Sequence, residues 1–288
     1  MNAVVTVGLD GTPESLSAAL WAAQEASARG ATLRLLHAWV LLAPEAPAAE
    51  QPEGDPNYWP KRIVSDARDA IGQRFPGLRV YEDLVAKEPM GALLEAAAES
   101  QTLVLGSRAL SSLTGYFLGD IGMHVLARAE VPTVLVRARE DEAPITEDGD
   151  VVLGLSLRRP CDELIEYAFD AAIRRDSTLR AVHGRNLPPS AYTRGGLDPY
   201  LSHELTREAQ QDLTRTLSPW RDRFPDVRVV EKVRMESPAR AIVRDIAGTG
   251  LLVVGRRVKR PAFSRRIGHV PSAAVHHAPC PVAVVPHT

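Results

Sequence analysis

At 288 residues the chain is longer than a typical single domain, and two domains of similar size are the first expectation. A hydrophobic share of 45% beside a charged share of 24% is that of a folded globular protein and excludes disorder as the main state. The net charge of −2 supplies no global field towards nucleic acid or an anionic membrane, so any such attraction must be local.

No apolar run approaches the length that spans a bilayer, and the opening Met1-Asn2-Ala3-Val4-Val5 lacks the basic and apolar regions of a signal peptide. Two cysteines, Cys161 and Cys280, are too few for a disulfide framework or a structural zinc site. Both sit in apolar contexts expected to be helix or strand, where free Cys is a small core residue. A reducing cytoplasm is the expected setting.

Taken in order, residues 4–9 are a short run rich in β-branched residues and predict a strand. Thr12-Pro13-Glu14 supplies an N-cap, a proline at the first helical position and an early acid, so a helix is expected from there to Gly30. A second strand is expected over 33–40, a second helix over about 59–75, a third strand over 78–85 and a third helix over 89–100. Residues 103–105 form a fourth strand; after a loop a helix starts at Asp120, and 133–136 is the last strand. Residues 139–150 are acidic, lack apolar periodicity and carry Pro and Gly, which reads as an exposed linker between domains 1–138 and 151–288.

Beyond the linker the pattern repeats. Thr32-Leu33-Arg34 and His37 recur 146 residues later as Thr178-Leu179-Arg180 and His183, and Val7-Gly8-Leu9 answers to Leu153-Gly154-Leu155. From Phe75-Pro76 against Phe224-Pro225 onwards the offset is 149, and it holds for Pro89 and Pro238, Gly106 and Gly255, Gly119 and Gly268, Pro132 and Pro281. One three-residue length difference reconciles the whole chain, which is the mark of an internal duplication. The clearest helix of the second copy carries Leu164, Ile165, Ala168, Phe169, Ala172 and Ile173 on one face, and Ser237-Pro238 caps another. Strands alternating with helices imply an α/β fold: a mostly parallel, doubly wound sheet in each copy, with right-handed crossovers. Ligands of such sheets bind outside the carboxyl ends of the strands, where the strand order switches.

Two segments fall at such ends. One is Gly8-Leu9-Asp10-Gly11; the other is Gly106-Ser107-Arg108-Ala109, followed after residues 110–118 by Gly119-Asp120-Ile121-Gly122. On these residues the chain resembles the universal stress proteins, over essentially its whole length and in both copies. The resemblance implies two five-stranded adenine-nucleotide-binding domains and a stress-response regulatory protein rather than a conventional enzyme. It implies an adenine nucleotide such as ATP as cofactor, bound by Asp10, Gly106, Ser107, Arg108, Ala109, Gly119 and Asp120. The family's phosphate loop reads Gly, two residues, Gly, nine residues, Gly, then Ser or Thr, with an Asp at the end of the first strand for the ribose or base. The resemblance further implies that such domains pair through their last strands, so the two copies are expected to pair within one chain, with 131–136 and 281–285 as the candidate edges. Apolar strand edges favour burial against a partner, which makes a further homodimer the expectation.

The physics of such a loop is general. Glycine lets backbone amides approach phosphate oxygens, and a helix N-terminus adds unsatisfied donors and a favourable dipole. The first copy keeps Asp10, Gly106 and Gly119, but Ala109 replaces the middle Gly and Asp120 the Ser or Thr. A carboxylate ~4 Å from a phosphate charge costs roughly 4 kcal/mol at an effective dielectric near 20. Arg108 is the cation at hand to offset part of that. The second copy departs further, with Ser156, Val258 and His269 at the corresponding positions, so a conventional ATP site there is not expected. Its loop is densely basic instead, with Arg256, Arg257, Lys259, Arg260, Arg265 and Arg266 and no acid between them.

Each residue has a plainer reading. Asp10 can be a turn residue that caps the following helix, although the repeat context favours a ligand contact. Gly106 and Gly119 support the fold more than a ligand. Asp120 suits a helix N-cap with no phosphate present. The basic loop reads first as a solvated surface, and with Phe263 as its one aromatic it is no platform for single-stranded nucleic acid. His37 and His183 end equivalent strands, which suggests packing; His124, His203 and His269 show no metal spacing. There is no Gly-x-x-x-x-Gly-Lys-Ser/Thr loop, no Gly-x-Gly-x-x-Gly after the first strand and no Gly-x-Ser-x-Gly elbow. Two readings stay open: a regulator that binds an adenine nucleotide in domain 1, and an interaction module with the Arg-rich loop of domain 2 as its partner surface. Slow ATP hydrolysis, the third, lacks a visible base and metal clamp.

Overall fold

The computed structural model describes residues 3–39, 58–109, 116–117, 119–138, 149–159, 161–193, 196–258 and 267–288. The chain divides into two compact units, Met1–Ile145 and Thr146–Thr288. Most of the segment read as linker, residues 139–148, lies outside the described residues. Asp150 is the first residue of a strand rather than of a linker, and its carboxylate is held 2.9 Å from Arg180 Nε.

In the first unit β1 (Val4–Gly8) leads into α1 (Pro13–Arg29), β2 (Thr32–Ala38), α2 (Tyr58–Arg74), β3 (Val80–Val85) and α3 (Pro89–Ala98). There follow β4 (Thr102–Ala109), the short β5 (Tyr116–Phe117), α4 (Asp120–Arg128) and β6 (Thr133–Arg137). The α1 signals act as expected. Thr12 Oγ1 accepts from the Ser15 amide at 3.2 Å, Pro13 opens the helix, and Gly30 closes it in the left-handed region at φ 61°.

The main strands run in the order β6-β4-β1-β2-β3, all parallel. Val5, Val7, Leu33, Leu35, Leu103 and Val104 are fully buried, as in a sheet covered on both faces. The chain builds outwards from β1 to β2 and β3, then crosses back to β4 and β6 on the other side. The strand order therefore switches between β1 and β4. Strand β4 is longer than its apolar run at 103–105 because Gly106 and Ser107 go on pairing with Val136 and Arg137 of β6. Arg108 and Ala109 then pair antiparallel with Phe117 and Tyr116. The Ser107 hydroxyl accepts a hydrogen bond from buried Arg137, which satisfies two polar groups that apolar patterning would have kept out.

The second unit follows the same path. It comprises β7 (Asp150–Gly154), α5 (Asp162–Arg174), β8 (Leu179–Gly184), a small hairpin of β9 (Tyr192–Thr193) and β10 (Gly196–Leu197), and α6 (Pro199–Arg223). It continues through β11 (Val229–Arg234), α7 (Pro238–Arg244), β12 (Thr249–Arg257), α8 (His269–His277) and β13 (Val282–His287). Strand order β11-β8-β7-β12-β13 repeats that of the first unit, again all parallel. Three details correct the sequence reading. Ile173 is 44% exposed, while Leu164, Ile165, Ala168, Phe169 and Ala172 are buried, so the apolar face of α5 ends at Ala172. Ser237 stands at the N-cap of α7 but makes no side-chain cap bond. Cys161 lies at the N-cap position of α5 rather than within an element, its thiol donating to Glu163 Oε2 at 3.0 Å.

The outer strand β11 is tied to α7 through one carboxylate. Asp245, 4% exposed, receives Arg234 Nε at 2.7 Å, Arg234 Nη2 at 2.9 Å and Lys232 Nζ at 3.0 Å. Hydrogen bonding to Arg234, aided by Lys232, holds its pKa at about 2 against an ordinary 3.8. Asp245→Asn is expected to lower the unfolding free energy by about 1–3 kcal/mol near neutral pH, measured by urea denaturation. A depressed folded-state pKa stabilises fully above the ordinary value of 3.8 and ceases to do so as the pH falls towards about 2. The gap between wild type and variant should therefore close over that interval.

Candidate functional site

The strand-order switch of the first unit leaves a cavity of about 490 Å³ at the carboxyl ends of β1, β2 and β4. Leu9, Leu36 and Ala38 supply its apolar wall, Asp10 stands at one side, and Gly119, Asp120, Ile121 and Gly122 at the start of α4 stand at the other.

Asp10 is exposed, and its Oδ1 accepts from the Thr12 amide at 3.1 Å and from Thr12 Oγ1 at 2.5 Å. The carboxylate thus shapes the turn from which Thr12 caps α1, and it also lines the cavity. Gly106 has a steric reason of its own. A Cβ there would fall 2.6 Å from the Glu14 carbonyl carbon and 2.8 Å from the Ser15 nitrogen, so the start of α1 presses on this strand. Gly119 differs: nothing lies within 4 Å of a Cβ built on it, and it is the N-cap of α4 with no side-chain bond to the amides of the first turn. Asp120 is accordingly the first helical residue and not the cap expected from its residue type. Its carbonyl accepts from His124 Nδ1 at 2.7 Å.

The other expected site residues follow Gly106 along β4. Ser107 is buried and turned to Arg137 of the neighbouring strand. Arg108 and Ala109 belong to β4 and its pairing with β5, not to an open loop. Of residues 110–118, only Tyr116 and Phe117 are described.

One wall residue was read too plainly from sequence. His37, 8% exposed, donates from Nδ1 to the Leu9 carbonyl at 2.8 Å, and it lines the cavity. A carbonyl only accepts, so in the neutral ring Nε2 carries the lone pair. His183 repeats this in the second unit, bonding the Leu155 carbonyl at 2.9 Å. Burial pushes the His183 pKa below its ordinary value, and the nearby Arg185 and Arg158 act in the same direction. The placement of both histidines at the ends of second strands was the signal available.

The second unit has an equivalent, larger cavity of about 900 Å³ at the ends of β7, β8 and β12. Ser156 is exposed where Asp10 stands in the first unit, and Gly268, at φ 99°, is the N-cap of α8 without a side-chain bond. Arg256, read as part of a solvated basic loop, is buried within β12, whereas Arg257 and Val258 are exposed. The rest of that basic segment, residues 259–266, lies outside the described residues. Cys161 lines this cavity; burial, then its bond to Glu163, raises its pKa to about 12, which leaves it a protonated and unreactive thiol.

The model of the Universal stress protein family matches residues 1–137 and again residues 150–286. The chain belongs to that family. A universal stress protein of Mycobacterium tuberculosis (strain ATCC 25618 / H37Rv) is 31% identical over 288 residues, spanning 97% of this chain and 96% of the relative. A second from the same strain is 26% identical over 293 residues, spanning 97% and 95%. The crystal structure of a universal stress protein from Archaeoglobus fulgidus DSM 4304 superposes with a TM-score of 0.67 at 15% identity, covering 99% of this chain and 98% of that one. That likeness is one of fold. Among the described residues no helix of this universal stress protein is long and apolar enough to cross a membrane.

The two loop glycines should separate by experiment. Gly106→Ala is expected to destabilise the protein by about 1–3 kcal/mol, because backbone must move. Gly119→Ala should cost less than about 1 kcal/mol, the difference between Gly and Ala at an N-cap. Urea unfolding of both variants checks the order.

Proposed function

We propose that this universal stress protein is a stress-response regulator whose first domain binds an adenine nucleotide in the cavity between Asp10 and Gly119. The observation that carries this reading is the open hollow of about 490 Å³ at the strand-order switch, within the range of small-molecule sites. Leu9, Leu36 and Ala38 offer an apolar slot for a flat base, and Asp10 an acceptor for ribose hydroxyls. The first-turn amides of α4, left without a side-chain cap, offer donors to a phosphate. His37 adds a ring nitrogen on the cavity wall that can accept from a ligand. In this reading binding acts through the order of the α4 start and not through turnover. Asp120, exposed at the helix start, sets the limit: each phosphate added brings like charge towards its carboxylate.

Calorimetric titration with ATP, AMP, cyclic AMP and adenosine tests the reading. Binding in the micromolar range is expected, and absence of heat at millimolar ligand would remove it. Asp10→Asn keeps an oxygen for the Thr12 turn but loses the charge, and should weaken binding roughly tenfold, the weight of one charged hydrogen bond. Asp120→Ser should tighten ATP about fivefold or more and leave adenosine unchanged, in proportion to the repulsion relieved at an exposed position. Equal ATP affinity in wild type and Asp120→Ser would show that the carboxylate points away from the ligand.

A further inference from the structure

The two cavities occupy the same point of two duplicated folds, yet the charged side chains described around them are opposite in sign. In the first domain the charged lining residues, among those described, are Asp10 and Asp120. In the second they are Arg158, Arg159, Arg185 and Arg257 against Asp212. We propose that the second-domain cavity is a site for a compact multivalent oxyanion, an oligophosphate, recognised by these arginines and not by a nucleobase or a glycine loop.

The four cations come from three adjacent strand ends. Arg158 and Arg159 follow β7, Arg185 follows β8, and Arg257 closes β12, so they ring one opening instead of scattering over a surface. Arg185 is engaged by Glu208 at 3.1 Å. Arg158, Arg159 and Arg257 are exposed and form no ion pair among the described residues. Glu163, the acid beside Cys161, already accepts from that thiol. Like charges held about one opening repel one another and favour an anion between them. Guanidinium groups suit the task, because their planar fork binds phosphate through two parallel hydrogen bonds.

The helix starts point the same way, although they do not carry the case. In the first domain α1 is capped by Thr12 and α3 by Glu88, whose carboxylate accepts from the Met90 and Gly91 amides at 3.1 and 3.0 Å. In the second, their counterparts α5 and α7 open with no side-chain acceptor at Cys161 and Ser237, while α8 at Gly268 is uncapped like α4 at Gly119. Ser156 in place of Asp10 removes both the carboxylate that would hold a ribose and the negative charge that would repel a phosphate. The floor of Leu155, Val182, Ile242 and Ile267 leaves volume beyond the anionic groups, so a body attached to the phosphates is accommodated without being required.

The test uses the full chain and inorganic tripolyphosphate, with adenosine as the control. One equivalent should bind with an affinity that drops steeply between 50 and 200 mM salt, as for any site that collects several phosphate charges. The triple variant Arg158→Gln, Arg159→Gln, Arg257→Gln should weaken tripolyphosphate at least thirtyfold, and Ser156→Asp at least threefold. All four positions are exposed, and matching circular dichroism and melting curves check that each variant folds. Adenosine should be unaffected by these changes, whereas Asp10→Asn should weaken adenosine and spare tripolyphosphate. The first-domain reading can therefore fail while this one stands, and the reverse. No tripolyphosphate binding at millimolar concentration, or binding that survives the triple variant, overturns the proposal; the latter result would move the anion to another basic segment of the chain.

Discussion

The hollows at the strand ends depend on how each parallel sheet changes direction. The chain lays down β1, β2 and β3 outwards and then crosses the first strand to place β4 and β6 on its other flank. The two crossovers leave the sheet on opposite faces, so neither covers the carboxyl ends of β1 and β4. Gly106 makes the arrangement compact, because the absence of a Cβ lets the Glu14–Ser15 backbone of α1 rest on β4. The hollow is thus a consequence of topology, and the side chains around it are free to vary without altering the fold.

The duplicated chain uses that freedom in opposite ways. Around the first hollow the described charges are acids, and most helix starts are satisfied by the protein's own oxygens. Around the second they are mainly arginines, and the starts of α5 and α7 are left open. Buried features held in common, such as the histidine that bonds the carbonyl at the end of each first strand, keep the two frameworks alike. A change at a mouth residue costs little in stability, while a change in the frame costs cavities or strain. Divergence is therefore expected at the mouths, and among the described side chains it is found there as a reversal of charge.

Several residues stand in the fold differently from their place in the sequence pattern, for one reason. Ser107 follows a loop glycine in sequence and looks available to a phosphate, but β4 extends beyond its apolar run and hands Ser107 to Arg137. Asp120 has the composition of an N-cap, yet the helix begins one residue earlier than that role requires, with Gly119 as the cap. His37 was readable as packing because its twin His183 packs likewise, and packing against the Leu9 carbonyl is also what turns its ring to the cavity. Arg158, Arg159 and Arg185 were not singled out, since they lie far apart in the chain from the loop that carries the family motif.

Local chemistry and repetition were sufficient for the duplication, the alternation of strand and helix, the ends of α1 and the edge of each sheet where the cavities lie. These follow from residue-by-residue preferences and from a periodicity that survives without any knowledge of contacts. Which side chains share a hollow, which polar groups are consumed by neighbours, and what sign of charge each mouth presents could not be read that way. Those properties arise from residues brought together across strands that are not adjacent in the chain, and a one-dimensional pattern holds no record of such distances.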